Sequence, residues 1–184
     1  MLTRLLFFLL LFPIITVAQV KRPPADLPRN PEIKASNSVS RNGYTVEIPL
    51  AWSIDTSGTM GTDLIAFLPK TSEDDNFSEN LNIIIQDLKG MDIDLKKFTE
   101  ISVKQVKSMV GEDALTENEF YQTDAGPYHK LVYNGKIGML DLTTIQHFFV
   151  RNEKAYIITF SIKKNETDSY KNLAEQVMNT FRIK

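Results

Sequence analysis

The sequence predicts an α+β fold, an antiparallel β-sheet sandwiched by amphipathic helices. Three observations carry this expectation. From residue 42 onward, short segments alternate apolar and polar side chains between turn signals, as strands joined by hairpins do. Two later segments, 94–110 and 170–181, repeat their apolar residues at helical spacing instead. Strands linked by short turns are mostly antiparallel, and two amphipathic helices need a sheet face to bury against.

Taken in order, Tyr44, Val46 and Ile48 alternate with Thr45 and Glu47, and Pro49 stops that strand. Residues 52–56 read as its return strand, and 57–61 as a flexible turn. Leu64–Leu68 is a short apolar strand ended by Pro69, and 81–88 is another strand. Its consecutive β-branched Ile83, Ile84 and Ile85 point to a central position covered on both faces. Leu95, Phe98, Ser102, Val106 and Met109 then recur at steps of three and four, with Asp92 or Asp94 placed to cap the helix and Gly111 to end it. Four more strands are expected at 115–122, 128–133, 139–150 and 155–162, with turns at Asn134–Gly138 and Asn152–Glu153. Tyr170, Leu173, Ala174, Val177, Met178 and Phe181 form the apolar stripe of a closing helix.

The beginning of the chain reads as an address. Arg4 supplies a positive start, residues 5–15 form an apolar run short for a membrane span, and Thr16-Val17-Ala18 places small residues at a cleavage site. Residues 1–18 are therefore expected to be a secretory signal peptide, leaving no stable membrane span once cleaved and a periplasmic or secreted product. Pro23, Pro24, Pro28 and Pro31 mark residues 19–40 as an extended linker, and 41–184 as the folded domain.

Bulk composition narrows the function classes. The chain has 184 residues, 42% apolar and 24% charged, which are globular values. A formal charge of −2 argues against nucleic acid as a partner. The absence of cysteine removes disulfides, thiolate metal sites and cysteine nucleophiles, and two histidines cannot build a three-histidine centre.

The residues running Tyr44 to Trp52, then Phe67-Leu68-Pro69, then Asn76-Phe77-Ser78-Glu79-Asn80-Leu81-Asn82-Ile83, resemble the PsbP-like superfamily in order and spacing. So do Lys154 to Phe160 and the closing Met178-Asn179-Thr180-Phe181. The likeness spans about residues 42–184 and is strongest to exported bacterial PsbP-like or DcrB-like proteins. It implies an antiparallel sheet sandwiched by helices and a binding or assembly role. Photosynthetic members assist the oxygen-evolving complex, and a eukaryotic relative binds the GTPase Ran; no residue here points to either role. The family brings no shared catalytic motif.

Among candidate site residues, the stretch TSEDDNFSEN offers oxygen ligands for a hard cation in Asp74, Asp75, Asn76 and Glu79. The EF-hand spacing is absent, so the expectation is a solvated acidic loop beside an apolar strand, with Phe77 as a packing anchor and Glu79 and Asn80 bonding the turn. His129 and His147 fall on neighbouring strands, where a diagonal pair could hold a metal or sense pH, with Asp141 the nearest carboxylate. Adjacent Phe148 and Phe149 face opposite ways, so unless helices cover both faces one ring is exposed and marks a docking patch. No nucleophile elbow, Walker loop, dinucleotide fingerprint or zinc-helix motif occurs. The expected function is non-enzymatic, needing no cofactor: a domain that binds or stabilises an envelope or periplasmic protein through a sheet edge or groove. The alternative is a stress protein binding a small ligand or divalent metal.

Overall fold

The computed structural model describes residues 35–73, 75–123 and 125–184. The expected signal peptide, all but the end of the expected linker, and Asp74 lie outside the described residues.

Among the described residues, ten strands and two α-helices follow one another as β1 (Ser36–Arg41), β2 (Tyr44–Pro49), β3 (Ser53–Asp55), β4 (Leu64–Phe67), β5 (Asn80–Asp87), α1 (Leu95–Val110), β6 (Leu115–Thr123), β7 (Gly126–Ile137), β8 (Leu140–Arg151), β9 (Lys154–Lys163), α2 (Thr167–Met178) and β10 (Arg182–Ile183). They form a seven-stranded sheet in the order β3-β4-β5-β9-β8-β7-β6 and a three-stranded sheet in the order β1-β2-β10. Every strand pair is antiparallel. The α+β class with helices on both sides of the sheet is thus as the sequence predicts.

Two cores sit on opposite faces of the large sheet, because each strand sends alternate side chains to opposite sides. Leu81, Ile83, Ile145, Phe149, Ile158 and Phe160 point to one side, where α2 and the inner face of β2 close over them. Leu131, Tyr133, Phe148, Ala155 and Ile157 point to the other, under Phe98 and Val106 of α1. Asp94 caps α1, its carboxylate accepting from the Lys97 amide at 2.8 Å, and Gly111 ends the helix. Met109 belongs to the sequence's apolar stripe but is rotated into solvent at the last turn.

Four expectations need correction. The last residues assigned to the linker, 36–40, are strand: β1 pairs with β2 along six registered positions, which the proline count upstream does not foretell. Residues 53–55 do not return on β2. After Pro49 the chain crosses to the other sheet and β3 pairs with β4, while β2 takes β1 and β10 as neighbours. The Asn134-Gly135 pair is not a turn. Asn134 accepts from the Thr143 hydroxyl at 2.9 Å across the ladder, pairing continues to Ile137↔Leu140, and the chain reverses at Gly138-Met139. Gly138 has φ 59°, which a two-residue turn with glycine first requires. Lastly, Phe148 and Phe149 are both buried, one under each helix, so no exposed ring arises there.

Candidate functional site

The acidic loop is less solvated than its sequence suggests. Asp75 is buried and has every side of its carboxylate occupied by protein donors. Its Oδ1 accepts from Lys163 Nζ at 2.5 Å and the Phe77 amide at 3.3 Å, and its Oδ2 from the Thr71 amide and hydroxyl at 3.2 and 3.1 Å. Burial pushes this carboxyl up, but the Lys163 ammonium and the two amides outweigh it and hold it below its ordinary value. Glu79 is also buried and its Oε1 accepts from the Lys163 amide at 3.2 Å. Burial raises its pKa to about 7 against these donors. Asn76 is exposed and Phe77 only half-buried, so the anchors of this loop are the two carboxylates and not the ring. Lys163, at the end of β9, ties the loop to the sheet and also reaches Glu166 at 3.4 Å.

The two histidines do not share a face. The register sets Lys130 opposite His147 and His129 opposite Phe148, so adjacent rows send the imidazoles to opposite sides of the sheet. A joint metal site is therefore sterically impossible. His129 Nε2 lies 2.7 Å from Asn118 Oδ1 on the α1 side, and Asp141 joins Lys136 instead, at 3.8 Å. His147 is buried on the α2 side, where burial, aided by the nearby Lys130 charge, lowers its pKa to about 3 and keeps it neutral.

A second buried charge cluster surrounds it. Lys130 points inward and pairs with Glu117 of β6 at 2.8 Å and with Glu175 of α2, whose other oxygen is 3.8 Å from His147 Nε2. Burial pulls the Lys130 pKa down, and the two carboxylates more than restore it. A third cluster gathers on Asp63 at the start of β4. Tyr44 donates to it at 2.7 Å, Arg41 Nε sits at 3.3 Å, and Asn42 also donates, clamping the β1–β2 hairpin to the large sheet. Sequence reasoning missed all three cations. One signal was available for Lys130, which stands at the same alternate positions as the core residues Tyr128 and Val132. Lys163 and Arg41 stand at strand ends, where a lysine or arginine is ordinary.

These ion pairs engage Lys163, Lys130 and Arg41 with the carboxylates that face them. Among the described residues, no three His, Asp or Glu side chains gather to hold a metal, and no helix is long and apolar enough to cross a membrane. What remains open is surface. Among the described residues, the strand β6 ends the large sheet with its outer edge unpaired and its residues mostly exposed. Phe120 stands on it 59% exposed, on the α1 side, opposite His129. The other edge, β3, has only 3 residues.

No protein-family model and no curated protein matches the chain. Solved structures do. The solution structure of the cyanobacterial PsbP protein CyanoP from Synechocystis is similar with a TM-score of 0.60 and 19% identity, over 83% of this chain and 95% of that one. LpqN of Mycobacterium tuberculosis, described as involved in cell envelope biogenesis, is similar with a TM-score of 0.57 and 14% identity, over 81% and 90%. PA94 of Pseudomonas aeruginosa, a putative regulator of unknown function, is similar with a TM-score of 0.54 and 17% identity, over 79% and 94%. At these identities the likeness speaks to the fold alone. The chain has the PsbP fold.

Proposed function

We propose that this protein is an exported, non-enzymatic PsbP-like domain that binds and stabilises an envelope protein, docking an extended segment of it along β6. The single observation that carries this reading is the β6 edge. It is a nine-residue strand with free backbone donors and acceptors and a solvent-exposed phenylalanine. Natural sheets blunt long edges because they recruit other strands. The opposite edge is blunted by its length alone, whereas β6 is left long and carries an apolar side chain. Glu117 and Glu119 on the same strand disfavour pairing with a second acidic copy and restrict the choice of partner. A strand added here gains main-chain hydrogen bonds for affinity, with Phe120 supplying specificity. Export rests on the sequence of residues 1–18, and the envelope setting is supported by what is described for LpqN.

The acidic loop supports a structural role over a metal site, since Asp75 is already saturated by protein donors. The test of the docking reading is affinity capture from membrane and periplasmic fractions with the wild type, Phe120→Asp and Ile54→Asp. One reproducible partner retained by Ile54→Asp and lost by Phe120→Asp is the expected result. Equal recovery by both variants, or no reproducible partner at all, contradicts it.

A further inference from the structure

The α1 side of the large sheet is lined unlike the α2 side. Where β5, β9 and β8 lie together, two adjacent rows of its inward positions are polar: Asn80, Ser161 and Thr144 form one cross-strand row, and Asn82, Thr159 and Gln146 the next, before the apolar row of Ile84, Ile157 and Phe148. All six are buried. Gln146 donates to Thr159 at 3.2 Å, yet its Oε1 has no protein partner, and neither do Thr99 Oγ1 and both amide atoms of Gln105 on the helix packed over this face. Buried polar groups without hydrogen-bond partners are few in folded proteins and costly to keep; among the described residues most lie on this face, with His147 Nε2 and Glu175 Oε1 on the other.

Beside the first polar row, this face opens into a cavity of about 390 Å³. Tyr133, Leu142 and Thr144 line it from the sheet, Met109 and Val110 from the last turn of α1, and Ile137 from the β7–β8 hairpin. Gly135 governs how near the helix comes: a β-carbon there would stand 2.9 Å from Val110 Cγ1. The volume is in the range of small-molecule sites, which combine an apolar lining with a few placed polar groups. The charge around it has a sign. Lys136, Lys164 and Asp141 also line the cavity, a formal excess of one positive charge. Lys164 is exposed and has no ion-pair partner among the described residues, while Lys136 and Asp141 are 3.8 Å apart. Met109, 40% exposed, puts apolar surface at the opening.

The geometry points to a binding site for a small amphipathic organic anion, an apolar body bearing one carboxylate or sulfonate. The body lies against Met109, Val110, Ile137 and Leu142, with Tyr133 and Thr144 beneath it, and the acid group faces Lys164. This site is distinct from the β6 edge and rests on different residues, so either can fail without the other.

The test titrates the folded protein with 8-anilinonaphthalene-1-sulfonate and, in parallel, with uncharged N-phenyl-1-naphthylamine, which has the same aromatic body. The expected result is saturable one-to-one binding of the sulfonate, with amide chemical-shift changes centred on Gly135 and Thr144. Lys164→Glu replaces an attraction by a repulsion and weakens the sulfonate about fivefold while sparing the uncharged probe. Lys171→Glu, the same change on the exposed surface of α2, alters neither. Met109→Trp fills the opening from an exposed position and removes binding of both probes without the folding risk of a core substitution. Equal weakening by Lys164→Glu and Lys171→Glu, shifts centred elsewhere, unchanged binding in Met109→Trp, or no saturation at millimolar probe would each overturn the assignment.

Discussion

The two sides of the large sheet are built to different ends. On the α2 side a helix and the small sheet close together over a large apolar core, and its aromatic rings touch in a chain. Phe181 lies 5.2 Å from Tyr44, 5.1 Å from Phe149 and 5.9 Å from Tyr156 between ring centroids. Lys130, buried there, is paired with half-buried Glu175, while His147 Nε2 beside them has no hydrogen-bond partner among the described residues. On the α1 side one helix covers a smaller core, the neighbouring rows are polar, several buried polar atoms lack partners, and the exposed ring of Phe120 stands at the margin. The difference teaches that stability and surface are divided between the layers. One side holds the larger apolar core, and the other holds the cavity and the exposed ring at the sheet edge.

The sharpest way to break this comparison is to make the same truncation on each side. Phe181→Ala removes a ring in contact with three others and is expected to cost about 4 kcal/mol in urea unfolding, within the usual span for buried phenylalanine. Phe98→Ala on α1, whose ring pairs with that of Phe148, is expected to cost about 3 kcal/mol. A larger loss at Phe98 would reverse the assignment of the two sides.

Next in size is the pair that closes the acidic loop. Asp75→Ala strands Lys163 and is expected to cost about 3 kcal/mol, with part recovered in the double variant carrying Lys163→Met, because an unpaired charge is worse than none. Calcium at millimolar concentration is expected to leave the melting temperature of the wild type unchanged; a rise abolished by Asp75→Ala would show a cation site instead.

Glu79 provides a smaller, pH-dependent effect. Its pKa is raised from 4.5 unfolded to about 7 folded, so the folded state holds the proton more tightly. The stabilisation this gives is full below about pH 4.5 and lost as pH rises through 7, amounting to at most about 3 kcal/mol. Glu79→Gln keeps an acceptor for the Lys163 amide and is expected to flatten that stretch of the stability profile, measured by chemical denaturation at a series of pH values. His147 acts oppositely: its lowered pKa makes the protein lose stability as pH falls below 6.5, and His147→Gln is expected to remove that part of the acid slope.

Much of the fold was legible because it is written in periods. The alternation in β2, β8 and β9 and the helical stripe of α2 each have one buried face, and such faces leave a two- or three-to-four-residue rhythm. Asp94 and Gly111 mark the ends of α1 by local chemistry alone. What was not legible is pairing. Whether residues 53–55 turn back on β2 or cross to β4 depends on which sheet has a vacant edge, a property of the whole chain. Asn134-Gly135 carries the same short hairpin signal as Asn42-Gly43, which does turn between β1 and β2, yet cross-strand bonding to Thr143 and contact with α1 keep it extended. The acidic run suggested solvent because composition cannot show that Lys163, far along the chain, arrives beside Asp75. The histidines failed as a pair through a single residue of register, which reverses the face of a side chain.

The most direct test of the central claim, that the long free edge is where this protein meets its partner, is photo-crosslinking from that edge in cells. A benzophenone amino acid at position 120 is compared with one at position 54 on the short opposite edge and one at position 171 on the outer surface of α2. The account predicts a single adduct with an envelope protein from position 120, absent from the other two and abolished when Gln122→Pro removes a backbone donor from the outer edge of β6. Adducts of the same yield from all three positions, or from position 54 alone, would contradict it.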